Sequence, residues 1–245
     1  WADPAKQYTP DAWTALGDEA MAAKVHDYTV EVLKAMKDAG AIPDFIQTGN
    51  EISYGMLWGA RGASASSMKS YYAGKENNAE RFFSFLKNAA KACREECPDA
   101  KIVIHTERVT NIDYTKLFYT DMANAGIDYD IIGMSYYPYF HETLSQLEKC
   151  LTQVETSFPE KKIMIVEAGY PYAWEVPGTT YDYTSLYPYS DEGQLKFTDD
   201  LIRTLNRHDN VTGLFWWMME ANECGLDWNT QRVTDKWYNA PLFYN

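Results

Sequence analysis

The sequence contains few of the residues on which metal, redox and nucleotide chemistry depend. Four cysteines stand at positions 93, 97, 150 and 224 without a Cys-x-x-Cys pair, so we expect free thiols rather than a disulfide framework or a zinc site. There are four histidines and no His-Glu-x-x-His string, and no Gly-rich phosphate loop follows a predicted strand. The sequence therefore predicts no metal site and no cofactor.

Positive charge and long apolar runs are also scarce. Lys and Arg number 22 against 35 Asp and Glu, which gives a formal net charge of −13. Nucleic-acid binding depends on basic patches, so it is excluded as a function, and a neutral substrate fits better. No run of eighteen apolar residues predicts a membrane span, and no protein partner is implied. Because the chain opens on Trp1 rather than Met, we expect an N-terminal segment to be missing.

Aromatic residues are abundant. They make up 15% of the chain, with 8 Trp and 19 Tyr. Their flat faces can pack against sugar rings, although many of them will instead build the core. The strings Tyr170-Pro-Tyr-Ala-Trp174 and Tyr181-Asp-Tyr183 lie in a Pro-, Gly- and Thr-rich stretch that is typical of a loop. Core packing explains aromatic loops less easily than sugar binding does.

Strand and helix patterns alternate along the chain, which predicts a parallel α/β sheet. The predicted strands are 45–48, 101–105, 130–135, 162–166 and 212–217, and the predicted helices begin near residues 18, 77, 114, 143 and 192. A closed barrel of this class needs eight strands, so five do not complete it. An open doubly wound sheet could use five strands, but the missing phosphate loop argues against it.

Two of these strand patterns end abruptly in a glutamate. One is Phe45-Ile-Gln-Thr-Gly-Asn-Glu51 and the other is Ile163-Met-Ile-Val-Glu167. A glutamate could simply cap the helix that follows. In a parallel barrel, however, the carboxyl ends of the strands carry the chemistry, and two facing carboxyl groups are the minimum needed to cleave a glycosidic bond. The pair therefore predicts a glycoside hydrolase.

Seven strings in order over essentially the whole chain resemble glycoside hydrolase family 53, the endo-β-1,4-galactanases. They are Trp1-Ala-Asp-Pro-Ala-Lys-Gln7 with Pro10 and Trp13; Gln47-Thr-Gly-Asn-Glu51 with Gly55-Met-Leu-Trp58; Ile132-Gly-Met-Ser-Tyr-Tyr-Pro138 with His141; Val166-Glu167 with Tyr170-Pro171; Gly193-Gln194; Gly213-Leu-Phe-Trp-Trp217; and Trp237-Tyr-Asn239 with Leu242-Phe243. A departure is Met218-Met219, where the family usually has Glu-Pro. This puts in doubt any sugar contact made by that glutamate.

The resemblance implies a (β/α)8 TIM barrel of the retaining glycosidase clan that is incomplete in this chain. The five predicted strands would be strands 4 to 8, while strands 1 to 3 and the last helix would be missing. Residues 1–245 are then expected to form a single catalytic domain, a partial barrel. If the protein begins at Trp1, we expect it to be unstable or inactive, since a long strand edge stays unpaired on each side.

The same resemblance assigns roles to individual residues. It implies that Glu51 is the general acid/base and Glu167 the nucleophile. Asn50 would bind the sugar 2-hydroxyl, and Trp217 would floor the subsite of the reacting sugar. Tyr137 would donate a hydrogen bond to the nucleophile, with its neighbour Tyr136 as the alternative for this role. Further candidates for substrate contacts near the cleft are Trp1, Asp3, Trp58, His105 and His141, although a lone His at a strand end is more often structural.

The resemblance also bears on ions, location and substrate. Some relatives carry structural calcium near the last loops, and Asp227, Asn229 and Asp235 are oxygen ligands in that region, but no Asp-x-Asp spacing supports a site. The family implies a secreted, periplasmic or cell-surface enzyme. The expected activity is retaining endo-cleavage of β-1,4-galactan in pectin side chains. Alternatives are an endoglucanase or mannanase of the same clan and an inactive sugar-binding remnant.

Overall fold

The computed structural model describes residues 5–67, 69–219 and 240–242. Contacts divide the chain into two compact units, with the boundary between Gly133 and Met134. This boundary falls inside a strand, Ile131–Tyr136. The structure therefore contains one amino-terminal and one carboxyl-terminal group of strands and helices, each with buried apolar residues of its own.

The amino-terminal unit alternates helices and strands. After a short 3-10 turn, Asp11–Trp13, its elements are α1 Asp18–Asp38, β1 Phe45–Gln47, α2 Ala79–Glu96, β2 Lys101–Thr106, α3 Ile112–Asn124 and the start of β3 Ile131–Tyr136. Strands β1 and β2 are parallel, with Phe45 opposite Lys101 and Gln47 opposite Val103. The helix α2 presents an apolar face that includes Phe82, Phe85, Leu86, Ala89 and Cys93 to this core.

The carboxyl-terminal unit continues the alternation. Its elements are the end of β3, the short helix α4 Pro138–His141, α5 Leu144–Ser157, β4 Lys162–Ala168, α6 Asp191–Leu205 and β5 Val211–Trp216. Thr143 caps α5 by accepting a hydrogen bond from the Gln146 N–H, and Ser190 caps α6 through the Gly193 N–H. Both caps satisfy N–H groups that would otherwise lack a partner at a helix start.

All five predicted strands are present, and they follow the order β1-β2-β3-β4-β5 in the sheet. Residues of β2 and β3 are almost entirely buried, as expected for parallel strands covered on both faces. The outer strands differ, because Phe45 of β1 is 45% exposed and Phe215 of β5 is 47% exposed. Among the helices of the described residues, none combines the length and hydropathy that crossing a membrane requires.

Candidate active site

Glu51 lies in an irregular turn that follows β1. Its φ of 49° places a non-glycine residue in the left-handed region, which costs about 1–3 kcal/mol and persists only where neighbouring groups enforce it. Two residues earlier, Gly49 has φ 154°, and a Cβ there would stand 2.7 Å from Ile52 Cγ2. The turn therefore requires glycine at position 49, and it directs the half-buried Glu51 away from the regular pleat of the strand.

Neighbouring groups hold this turn in place. The Glu51 N–H donates to His105 Nδ1 at 3.3 Å, and the Ile52 N–H donates to the His105 carbonyl at 3.0 Å. The side chain of Gln7 donates through Nε2 to the Asn50 carbonyl at 2.7 Å. Sequence reasoning gave Gln7 no role, although it closes the first of the seven strings, because a contact across 43 positions leaves no local signal.

Glu167 lies inside a strand rather than after it, since β4 extends to Ala168. The pairing with β5 shifts register between Ile165 and Ala168: Ile165 pairs with Leu214, whereas Ala168 pairs with Trp216. Two residues of β4 therefore oppose the single residue Phe215. A bulge of this kind re-aims a side chain and is frequent beside active sites.

Tyr137 donates its hydroxyl hydrogen bond to Glu167 Oε2 at 2.9 Å. Burial raises the pKa of the Glu167 carboxyl, and the hydrogen bond from Tyr137 opposes that rise by stabilising the ionised form. The neighbouring Tyr136 points elsewhere, because its hydroxyl donates to the Glu142 carbonyl at 2.9 Å. Tyr137, and not Tyr136, therefore contacts the carboxylate of Glu167.

The ring of Tyr137 is fixed on several sides. A Cβ on Gly169 would stand 3.3 Å from Tyr137 Cε1, so glycine there leaves room for the ring. The ring of Trp217 meets that of Tyr137 edge to face, with centroids 6.4 Å apart. The Tyr137 N–H donates to His141 Nδ1 at 3.1 Å. These contacts restrict the direction from which the hydroxyl approaches Glu167.

The two tryptophans at the end of β5 have different environments. Trp216 is buried, and its indole N–H donates to the Ala240 carbonyl at 2.6 Å. Trp217 is half-buried beside Tyr137, and its backbone N–H donates to the Ala168 carbonyl at 2.8 Å. Of the two, Trp217 retains exposed ring surface next to the residues around Glu167.

Three candidates for sugar contacts are buried within the protein. Trp58 is 2% exposed, and its indole donates to the Tyr54 carbonyl at 2.8 Å, so its ring packs inside the protein and its role in a subsite stays a prediction. His105 is fully buried and His141 is 8% exposed. Each accepts a backbone N–H through Nδ1, His105 from Glu51 and His141, on α4, from Tyr137, and their predicted contacts with substrate stay predictions. Burial leaves these rings little surface for a polysaccharide.

All but one of the remaining candidates lie outside the described residues, and the exception is Asn50. Trp1, Asp3 and the calcium candidates Asp227, Asn229 and Asp235 lie outside the described residues. Asn50 directly precedes Glu51 in the turn and is half-buried. Asn50, Glu51, Tyr137 and Glu167 therefore all lie within the described residues, in or shortly after the carboxyl-terminal part of a strand.

Comparison with known proteins gives a family match. The model of the family described as glycosyl hydrolase family 53 matches residues 1–245. A Niallia circulans relative named "Uncharacterized protein in bgaB 5'region" is 31% identical, over 99% of this chain and 67% of the relative. The Aspergillus oryzae "Probable arabinogalactan endo-beta-1,4-galactanase A" is 30% identical, over 89% of this chain and 61% of the relative.

Solved structures agree with the match. The Ignisphaera aggregans GH53 catalytic domain has a TM-score of 0.81 and 30% identity, with 99% of this chain and 66% of that chain covered. A structure from a study of two fungal β-1,4-galactanases has a TM-score of 0.74 and 27% identity, with 92% and 67% covered. These neighbours are (β/α)8 barrels. The chain thus spans 61–67% of the lengths of these relatives.

Proposed function

Because the chain belongs to glycosyl hydrolase family 53, we propose that it forms part of a retaining endo-β-1,4-galactanase. Glu167 is the nucleophile and Glu51 the general acid/base. The observation that carries the proposal is the hydrogen bond from Tyr137 to Glu167, which lies on a bulged strand. The irregular turn that follows β1 presents the second carboxyl group, that of Glu51. The names of the galactanase relatives support the substrate class.

The reaction is a double displacement. Ionised Glu167 attacks the anomeric carbon while Glu51 protonates the departing glycosidic oxygen, which gives a glycosyl-enzyme and a shortened chain. Formation of the ester removes the negative charge of Glu167, so Glu51 loses its proton more readily and accepts one from the attacking water. Carboxyl groups about 5–5.5 Å apart suit this retaining course. The Asn50 amide is proposed to bind the 2-hydroxyl of the reacting sugar.

The assignment of nucleophile depends on which carboxylate is kept ionised. Burial raises the pKa of Glu167, which by itself would suit an acid. The Tyr137 hydroxyl donates to Oε2 and stabilises the charge, and a donor placed on a carboxylate favours the anion. We assign the nucleophile to Glu167 on this contact.

Trapping of the intermediate tests the assignment directly. A 2-fluoro galactobioside with a good leaving group slows breakdown of the ester, so mass spectrometry of digested protein can locate the label. We expect it on the peptide that contains Glu167. Labelling of Glu51 would reverse the two roles. With Glu51→Ala, added azide should yield the β-galactosyl azide, because azide replaces the water that Glu51 would activate.

The fold and location follow from the same premise. We propose that β1 to β5 correspond to strands 4 to 8 of the (β/α)8 barrel of the family. We also propose that the enzyme acts outside the cytoplasm, because an intact polysaccharide does not cross a membrane unaided. Trp217, half-buried beside Tyr137, is the proposed floor of the subsite for the reacting sugar.

A substrate panel tests the activity. Release of reducing ends from β-1,4-galactan, cellulose and β-mannan by the complete protein should occur on galactan alone. Cleavage of cellulose or mannan without galactan would favour the endoglucanase or mannanase alternative. Binding of galactan without turnover of any glycan would favour a sugar-binding remnant.

A further inference from the structure

Three consecutive residues of the turn that carries Glu51 are held from outside the turn. The backbone N–H groups of Glu51 and Ile52 donate to the side chain and carbonyl of His105. The third residue, Ser53, is fully buried. Its hydroxyl donates to Glu107 Oε2, and its carbonyl accepts from the Tyr114 hydroxyl at 2.8 Å.

Glu107 is a carboxyl group in an unfavourable environment. It follows the end of β2, two residues after His105, and both side chains contact the Glu51 turn. Burial raises the pKa of the Glu107 carboxyl, while the Ser53 hydroxyl and the charge of Arg108 oppose the rise. A buried carboxyl destabilises a fold unless a contact compensates. The contact made here is with the Glu51 turn.

The surrounding aromatic residues restrict this contact. The guanidinium of Arg108 lies 5.3 Å from the ring centroid of Tyr54 and 5.7 Å from that of Tyr114, and these two rings are 5.7 Å apart. Tyr114 is the residue that also donates to Ser53. A cluster of two rings and one guanidinium group, from Tyr54, Tyr114 and Arg108, therefore packs beside Glu107 and Ser53. This packing restricts the conformations that the turn can adopt.

We propose that Glu107 is a positioning residue for the general acid, because its hydrogen bond with Ser53 holds the left-handed turn that aims Glu51. The inference rests on the proposed function, since it requires Glu51 to protonate a leaving group. Neither the sequence pattern nor the proposed double displacement involves Glu107. The role predicted is selective: the proton transfer weakens when Glu107 is removed, whereas the attack by Glu167 does not.

Leaving-group dependence separates this role from a structural one. The departing sugar of galactan needs a proton, whereas a 4-nitrophenolate leaves without one. In the complete protein, Glu107→Ala should lower kcat on galactan by about 10- to 100-fold, with KM changed by less than about twofold. On 4-nitrophenyl β-1,4-galactobioside, kcat/KM, which reports formation of the glycosyl-enzyme, should fall by less than about threefold if the acid alone is misplaced.

Two variants test the hydrogen bond itself. Glu107→Gln keeps an oxygen that can accept from Ser53, and it should retain most of the galactan rate. Ser53→Ala removes the donor, and the double variant Ser53→Ala/Glu107→Ala should be no slower than the slower single variant, because both remove one interaction.

Asp121→Asn is a matched control. Asp121 accepts from the Tyr71 hydroxyl at 2.5 Å without contacting the Glu51 turn, so any loss there should be equal on both substrates.

The outcomes separate the two levels of the proposal. Equal losses of kcat/KM on galactan and on the aryl glycoside in Glu107→Ala, or full activity in Ser53→Ala, would overturn the role of Glu107 while leaving the hydrolase assignment intact. Wild-type protein that cleaves neither substrate would overturn the proposed function and this inference together. Should Glu107→Ala fail to fold, as judged by circular dichroism, Glu107→Gln and Ser53→Ala decide the same comparison.

Discussion

At the scale of single residues, both glutamates stand where the backbone departs from regular geometry. Glu51 has a φ of 49°, and Glu167 lies in the shifted register between β4 and β5. In a regular strand, successive side chains point to opposite faces of the sheet. An irregular position can instead direct a carboxylate out of the strand end, at a cost in stability that surrounding contacts must offset.

Glu167→Gln should separate activity from stability. The amide cannot attack, so we expect hydrolysis of galactan to fall by about 10³-fold or more. Burial raises the pKa of Glu167, which means that its charged form destabilises the folded state. At pH 7 the free energy of unfolding of the variant should therefore be about 0.5–2 kcal/mol higher than that of the wild type, seen as a higher urea midpoint. The gain should vanish below about pH 4, where the unfolded carboxyl is also protonated. A variant less stable at pH 7 would contradict this account of Glu167.

Tyr137→Phe should change the pH dependence in a defined direction. The hydroxyl stabilises ionised Glu167, so its removal raises the pKa of that carboxyl. Glu167 then becomes protonated at higher pH, and the acid limb of the kcat/KM profile should move to higher pH. We expect a loss of about 10- to 100-fold at neutral pH, from a hydrogen bond to a charged group. Tyr136→Phe, which loses a bond to a backbone carbonyl instead, serves as the control and should leave the acid limb unmoved.

At the scale of elements, the residues proposed for catalysis lie in or directly after the carboxyl-terminal ends of strands. The turn after β1 requires a glycine at position 49 because a Cβ would collide with Ile52. The strand β4 requires a bulge, and Gly169 just beyond it leaves room for Tyr137. These requirements lie outside the 2-residue and 3.6-residue periods by which strands and helices are recognised.

Gly49→Ala should damage both the fold and the reaction. The added Cβ meets Ile52 Cγ2 at 2.7 Å in a conformation that glycine alone adopts readily, so we expect a loss of about 2–4 kcal/mol in urea unfolding. The kcat on galactan should fall because Glu51 moves. Gly126→Ala is the control: its φ is also positive, but nothing lies within 4 Å of the added Cβ. It should cost about 1–2 kcal/mol without lowering kcat.

Thr143→Ala should affect stability alone. Its hydroxyl oxygen caps α5 by accepting from the Gln146 N–H at 3.2 Å. Loss of such a cap costs about 1 kcal/mol, measurable as a lower urea midpoint. Because α5 does not contribute a side chain to the residues assigned to catalysis, kcat and KM on galactan should remain at wild-type values. A fall in kcat would indicate that α5 helps to position the site.

At the scale of the whole molecule, net charge is the property that would act on a charged substrate. The value of −13 repels acidic polymers and leaves neutral ones unaffected. Galactan side chains are neutral, but pectin also contains uronic acids. The protein therefore should distinguish a free galactan chain from one still attached to an acidic backbone.

Salt should reveal this difference. Raising the ionic strength from about 0.01 M to about 0.3 M shortens the screening length several-fold. We expect kcat/KM on neutral galactan to change by less than about twofold, since no net charge on the substrate is screened. On galactan attached to polygalacturonate, kcat/KM should rise with salt. A fall with salt on the acidic polymer would instead indicate a basic substrate-binding surface.

The positions of strands and helices were predictable from the sequence because they depend on local periodicity and on caps. Each of the five predicted strands is present within about two residues, and the seven strings identify the family that the comparisons show. Glu51 and Glu167 were singled out because a carboxylate at the end of an apolar run is exceptional. These features are short-range, so one chain read in order is sufficient to find them.

The remainder depends on contacts between residues far apart in the chain. No local pattern separates Tyr137 from Tyr136, and the hydrogen bond to Glu167 decides between them. Only the folded structure shows that the ring of Trp58 is buried. The contact of Ser53 with Glu107 spans 54 positions. The sequence alone therefore determines the strands and the family and singles out two candidate carboxylates. The tertiary structure decides which side chains surround them, because only folding brings distant groups within hydrogen-bonding distance.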